Sequence, residues 1–547
     1  MNQFKRGAWI PPSLNTDGYK SVLDIYDKAC KTYSDKPAFS SFGHSISFSE
    51  LDQLGDAFAC YLQTNTDLKA GDRIAIQLPN ILQYPVCLLG AMRAGLIVVN
   101  TNPLYTCREL LHQFNDSQVK ALIVYEGVAH NVEKIIADTT IKYVFTTSLA
   151  DLHPLVGRAI INLVVKHVKK MIPRFNLPNA INLRSAIKQC KGQKPVKLAT
   201  KEQDVVVLQY TGGTTGVSKG VMLTHANLVS NMLQAADVIS KAPSHWMNVV
   251  IAPLPLYHIY AFTISLIVME EGGQSVLIAN PRDLPSFVKE LSKWKITGFL
   301  GLNTLFVALC NQPAFKTLDF KNFCLTVSGG MALTHSCAKS WHEATGTEIM
   351  EGYGLTETSP IVAVNRVKDI EIGTIGYPVK ETQIRIIDEH EQNVAEGESG
   401  ELCVQGPQVM AGYWQQQTAT DEVFTQDGYF KTGDIAKLDE NGRLSIVDRA
   451  KDLIIVSGFN VYPNEIEDIA SSHPQVLECA AIGVKDEVTG EKVKLFVVAS
   501  KEGVDIQELR SYCKEQLASY KVPKEIVLAG ELPKSNVGKV LRRMLRD

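Results

Sequence analysis

The chain has 547 residues, too many for one ordinary core, so three or four packing units are expected. Apolar residues make up 45% and charged residues 21%, the composition of a soluble globular protein rather than a disordered one. A net charge of −3 gives no reason to expect a general polyanionic partner. The eleven cysteines are odd in number and form no C-x-x-C, which fits free thiols in a reducing cytoplasm and supplies no metal site. No apolar run follows Met1, so no signal peptide is expected. No stretch suits a bilayer span: residues 84–100 carry Arg93, and residues 261–269 are too few.

After an extended arm, residues 21–33 place Val22, Leu23, Ile25, Tyr26 and Ala29 at helical spacing. Residues 37–40 and 45–48, joined across Gly43, predict a hairpin. Ser49-Glu50-Leu51-Asp52 resembles a capping box opening a helix to about Leu62. Strands are predicted at 73–78, 96–100 and 121–124, with helices at 84–94 and around 110–114 between them. Such alternation implies a parallel sheet covered by helices.

Residues 152–201 then contain no Asp or Glu but many Lys and Arg. Within them, residues 158–172 segregate on a helical wheel, with Leu163 the one large apolar residue out of place. One face holds Ile160, Ile161, Val164, Val165, Val168, Met171 and Ile172; the other holds Arg158, Asn162, Lys166, Lys169 and Lys170. A basic amphipathic helix fits an anionic membrane surface, and fits equally a helix packed on its own domain. One aromatic residue, Phe175, is too few for a nucleic-acid stacking platform, so no nucleic acid is expected.

Residues 205–209 predict a buried strand leading into Tyr210-Thr211-Gly212-Gly213-Thr214-Thr215-Gly216-Val217-Ser218-Lys219-Gly220, followed by a short strand at 221–223 and a helix. Gly212, Gly213 and Gly216 let the backbone approach a ligand closely, and threonine hydroxyls with backbone N–H groups suit phosphate oxygens. The spacing is not that of a Walker loop, because Gly220, not Ser or Thr, follows Lys219. The α/β alternation resumes with strands near 248–252, 298–301 and 325–328. From about 375 to 450 short strands and turns take over, with a hairpin signal at Asp439-Glu440-Asn441-Gly442. Beyond 451 the chain becomes α+β again, with a helix near 464–471, strands at 476–484 and 493–499, and a helix at 506–516.

Several motifs carry chemistry. Leu254-Pro255-Leu256-Tyr257-His258-Ile259-Tyr260 offers His258, which alone reads more readily as a satisfied core histidine. Ser328-Gly329-Gly330-Met331 and Glu351-Gly352-Tyr353-Gly354-Leu355-Thr356-Glu357 offer an aromatic face, close backbone and a carboxylate suited to Mg²⁺. Asp434 could accept hydrogen bonds from two donors at once, or could pair with Arg449 to close a turn. Lys539, in Pro533-Lys534-Ser535-Asn536-Val537-Gly538-Lys539, could stabilise charge on a phosphate or be merely solvated, with Lys524 and Lys534 as rivals.

In order and across nearly the whole chain, these strings resemble the adenylate-forming superfamily of acyl-CoA synthetases, luciferases and peptide-synthetase adenylation domains. The stretches 458–467 and 532–543 look like the bacterial long-chain fatty acid–CoA ligases within it. The resemblance implies a large N-terminal adenylation domain (1–450) of two α/β subdomains plus a β-rich subdomain (about 375–450), and a small mobile α+β C-terminal lid (451–547).

It also implies that Thr211, Gly212, Gly213, Thr214, Thr215, Gly216 and Lys219 bind ATP phosphates. Gly329, Gly330, Glu351, Gly352, Tyr353, Gly354, Thr356, Asp434 and Arg449 would hold the rest of the nucleotide, and Glu357 with Thr214 would hold Mg²⁺. His258 would lie beside the acyl carboxylate, Lys451 would be the hinge, Gly458 and Phe459 would meet CoA, and Lys539 would be the catalytic lysine, with His258 and Glu357 completing the catalytic set. The implied reaction joins a medium- to long-chain fatty acid to CoA through acyl-AMP; the alternative is a ligase for aromatic or short-chain acids. A peptide-synthetase unit is disfavoured because no carrier domain follows Asp547. The expected place is the cytoplasm, with 158–172 touching the cytoplasmic face of the inner membrane; homo-oligomerisation is left open.

Overall fold

The structure is a computed structural model that describes residues 14–16, 18–211, 218–243, 245–486, 488–500, 503–535 and 538–546. Two mostly parallel sheets carry the α/β part. The first has seven strands in the order Ile181–Asn182, Tyr143–Thr147, Val119–Tyr125, Arg73–Gln77, Ile97–Asn100, Val205–Thr211 and Lys219–Thr224. Only its last pair is antiparallel. The second runs Tyr377–Pro378, Ile361–Val364, Ile349–Gly354, Leu325–Ser328, Gly298–Gly301, Val249–Ala252, Gln274–Leu277, Pro37–Ser41 and His44–Ser47, parallel in its middle six strands. Helices cover these sheets, so the central strands read as unbroken apolar runs; Ala121, Leu122, Ile123 and Val124 are all fully buried. The stretches that resembled membrane spans are core: the helices Gln83–Arg93 and Ile259–Glu270 are buried almost throughout, and Arg93 is neutralised by Asp27, Asp52 and Asp56.

A four-stranded antiparallel sheet follows, Gln383–Ile387, Gly400–Gln405, Phe430–Leu438 and Leu444–Arg449, with its last hairpin turning at 439–442. The C-terminal part is a separate five-stranded sheet with the helices Pro463–Ser471 and Ile506–Gln516 packed on it. The architecture is α/β, with a large N-terminal part and a small C-terminal one.

Two local expectations are corrected. The capping box sits at Ser47 and Glu50, not two residues later: Ser47 Oγ accepts from the Glu50 N–H at 3.1 Å, and Glu50 accepts from the Ser47 N–H at 2.8 Å. The helix it opens runs Phe48–Asn65.

The basic segment also differs. Its helix spans Leu155–Leu163, continues as a wide turn over Val164–Val168, and ends before 172. Its faces are reversed in part. Asn162, expected on the outer face, turns inward, accepting the Ala150 N–H at 3.0 Å and donating to Asp151 at 3.1 Å, because the turn there has polar groups to satisfy. Val165 is buried, whereas Ile160, Val168 and Met171 are exposed together with Leu155, Val156 and Leu163.

Candidate active site

In α/β sheets ligands gather beyond the carboxyl ends of the strands. Here the ends of Val205–Thr211, Leu325–Ser328 and Ile349–Gly354 open into one cleft of about 1840 Å³. Thr211 and Lys219 are ladder partners at the cleft's edge, where the strands Val205–Thr211 and Lys219–Thr224 pair antiparallel. Lys219 lies over the ring of Tyr413, 4.8 Å from its centroid. Gly212, Gly213, Thr214, Thr215 and Gly216 lie outside the described residues.

The strand Leu325–Ser328 delivers Gly329 and Gly330. A methyl group on Gly329 would stand 3.1 Å from Tyr260, and Gly330 has φ +84°, so glycine is required for conformation at one and favoured for space at the other. Glu351 is buried beside them. Its Oε1 accepts the Leu333 N–H at 3.2 Å, its Oε2 has no protein partner among the described residues, and burial pushes its pKa up to about 8. It therefore enters the cleft as a neutral acid at pH 7. An irregularity in pairing at Tyr353 and Gly354 breaks the ladder with Ile361–Val364. Gly354 passes so close to Pro360 that no side chain fits there.

Tyr353 donates its hydroxyl to Asp434 at 2.6 Å. Asp434 is also the cross-strand partner of Arg449, whose Nε lies 3.2 Å from Oδ1. The Asp–Arg pair thus closes the sheet edge and faces the cleft at once. Glu357 leaves the short turn Thr356–Thr358, accepts from the Tyr413 hydroxyl at 2.9 Å, and has its pKa raised by burial. His258 starts the helix Ile259–Glu270; burial and the nearby Lys539 hold its pKa down to about 4, so it is neutral.

The C-terminal part closes one side. Lys539 reaches the cleft, with burial and Arg449 pushing its pKa down to about 8. No carboxylate lies within ion-pair distance of it among the described residues. The rival lysines are occupied: Lys534 is bidentate to Glu478 at 2.7 Å, and Lys524 lies 3.9 Å from Asp486. Lys451 lines the cleft just beyond the last strand of the four-stranded sheet. Gly458 and Phe459 do not line it; Phe459 stacks on Tyr520 with ring centroids 4.8 Å apart. An apolar wall is formed by Ala235, Val238, Ile239, Ile264 and Val307.

A family profile described as AMP-binding enzyme matches residues 26–414, and one described as AMP-binding enzyme C-terminal domain matches 465–539. The chain belongs to the AMP-binding enzyme family. The N-terminal match covers the parallel sheets, and the C-terminal match ends on Lys539. This AMP-binding enzyme is similar to the long-chain-fatty-acid–CoA ligase of Salmonella typhimurium, 48% identical over 99% of this chain and 96% of that one. It is 48% identical to the enzyme of the same name from Haemophilus influenzae, over 98% of this chain and 96% of that one. Among solved structures it resembles ATP-bound MatB from Rhodopseudomonas palustris, with TM-score 0.82 and 28% identity over 96% of this chain and 98% of that one.

Three site residues escaped the sequence reading. Tyr413 binds Glu357 and covers Lys219, yet Tyr413-Trp414 carries no motif. Asp448, on the last strand of the four-stranded sheet, meets Arg542 at 3.2 Å, and no motif marked either as a site residue.

Proposed function

We propose that this chain is an ATP-dependent fatty acid–CoA ligase. In the first step the acid's carboxylate oxygen attacks the α-phosphorus of ATP and pyrophosphate leaves. In the second, the CoA sulfur attacks the acyl carbon, AMP leaves, and the thiol proton goes to solvent. The observation that carries the reading is Lys539, brought by the C-terminal part into a cleft that already holds Tyr353, Asp434, Arg449 and Glu357. A buried ammonium there stabilises charge growing on the phosphate oxygens more than it stabilises the ground state. Neutral His258 can donate to the acyl carboxylate without pairing with it.

Glu357 would supply a hard carboxylate oxygen of the kind Mg²⁺ takes beside phosphates, and the cation would neutralise phosphate charge there. Fatty acids fit the apolar wall of the cleft, and the name of the similar enzymes points to the same substrates. Lys451 would act as the hinge on which the C-terminal part turns to admit CoA, bringing Gly458 and Phe459 to the cleft in exchange for Lys539.

The exposed apolar and basic side chains of 155–171 favour peripheral contact with anionic lipid. No helix among the described residues is long and apolar enough to cross a membrane. The deciding test is carboxylate-dependent ATP–pyrophosphate exchange with palmitate, benzoate and an amino acid, followed by thioester formation with CoA. Exchange with benzoate but not palmitate would favour the aromatic-acid reading.

A further inference from the structure

Arg542, three residues beyond Lys539, is half-buried between the helix Pro463–Ser471 and the strand Leu444–Arg449. Its guanidinium donates to Glu467 at 3.0 and 2.8 Å, to Asn464 Oδ1 at 2.6 Å, to Asp452 at 3.3 Å and to Asp448 at 3.2 Å. Of these acceptors only Asp448 lies on the N-terminal side of Lys451. Asp448 is fully buried, and its other oxygen accepts the backbone N–H of Asn464 at 2.8 Å. That N–H belongs to the first turn of the helix, where it has no partner within the helix and carries partial positive charge. One carboxylate of the large part therefore receives both a cation and a helix terminus of the small part. Val447 adds its carbonyl to the Asn464 side chain at 3.3 Å.

Two further polar contacts among the described residues join the same parts and are weaker. His335 pairs with Asp468 but is more than half exposed, so solvent screens it. Thr304 donates to the Gly538 carbonyl at 3.2 Å, a neutral bond.

We infer that Asp448 is the latch that holds the C-terminal part in the orientation presenting Lys539 to the cleft. This rests on the ligase reading, because it assigns that orientation to acyl-adenylate formation. Asp448 is a positioning residue, acting on the reaction through Arg542 and the helix rather than by touching substrate. The latch is built to open. When the small part turns about Lys451, Glu467, Asn464 and Asp452 travel with Arg542, so no cation is left buried without acceptors. Asp448 then trades an incompletely compensated burial, which lifts its pKa to about 6, for water. Its neighbour Arg449 contacts Asp434, so the same strand end carries the latch and a nucleotide candidate on successive residues.

The test uses the full chain and measures the two half-reactions separately. Asp448→Asn keeps the shape but removes the charge facing Arg542. It should slow pyrophosphate exchange by about ten- to a hundredfold, while thioester formation from supplied acyl-AMP is undiminished. Glu467→Gln disturbs Arg542 from within the small part and should not separate the two rates. Equal loss of both rates in Asp448→Asn, unchanged exchange, or the same split in Glu467→Gln would overturn the latch. Trypsin reads the latch without turnover: Asp448→Asn should be cut after Arg449 or Lys451 about tenfold faster than the parent chain, and equal rates would also overturn it. A parent chain that shows no exchange with any acid fails the ligase reading instead, and the digestion still judges the latch.

Discussion

The Tyr353 hydroxyl donates to Asp434 at 2.6 Å, and this bond joins two different sheets. Tyr353 lies one residue before the end of the strand Ile349–Gly354 in the nine-stranded sheet, and Asp434 lies within the four-stranded one. The ring is thereby fixed as one wall of the cleft while the carboxylate is aimed by two donors, Tyr353 and Arg449.

Tyr353→Phe keeps the ring and removes one donor to a carboxylate. A bond to a charged group contributes about 1.5–3 kcal/mol, and Arg449 still holds Asp434. The KM for ATP should therefore rise about tenfold with little change in kcat, read from steady-state kinetics with saturating acid and CoA. A fall in kcat with constant KM would place Tyr353 in the chemistry instead.

Lys539→Ala should slow adenylation by about 10²–10³, the effect of losing one aimed electrostatic donor. Thioester formation from supplied acyl-AMP should survive. Equal damage to both half-reactions would remove Lys539 from its assigned role.

The depressed pKa of Lys539, about 8, gives that role a pH signature. The ammonium is present below the folded pKa and lost above it, so kcat/KM for adenylation should fall as pH rises through about 8. Glu351 also loses its proton near pH 8. Two variants separate them: Lys539→Arg should abolish the alkaline limb at a reduced plateau, because guanidinium stays charged, whereas Glu351→Gln should leave the limb in place. A limb that vanishes in Glu351→Gln would assign it to the carboxyl.

Lys451→Pro restricts the backbone where the two parts join. Pyrophosphate exchange should stay within about twofold, while CoA transfer falls at least about tenfold if rotation gates that step. Normal overall turnover in this variant would exclude Lys451 as the hinge.

Much of the cleft was legible in the sequence because its residues sit in strings whose backbone demands are local. Gly330 is a glycine for a reason a sequence reading can reach, and Glu351, Tyr353 and Glu357 stand at fixed offsets within one string. The parallel strands were legible too, since burial on both faces makes them uniformly apolar. Partners brought from afar were not. Tyr413 lies 56 residues beyond Glu357, and Arg542 lies 94 beyond Asp448; neither pairing leaves a trace in spacing. The basic segment misled because a wheel assumes uniform helical geometry. A wide turn at Val164–Val168 and the inward amide of Asn162 rotate the faces away from the ideal.

That rotation bears on the membrane. Leu155, Val156, Ile160, Leu163 and Val168 are each more than half exposed, beside the exposed Lys166, Lys169 and Lys170. Basic side chains near anionic lipid contribute about 1 kcal/mol each, so replacing the three lysines by Gln should weaken binding to anionic vesicles roughly a hundredfold and leave weak binding to neutral ones unchanged. Replacing Leu155, Val156 and Ile160 by Ser should weaken binding to both, since apolar burial does not depend on headgroup charge. Vesicle sedimentation at low and high salt checks this, with pyrophosphate exchange on a water-soluble acid confirming that each variant is folded. If the parent chain pellets with neither lipid, the exposed patch has no role at membranes.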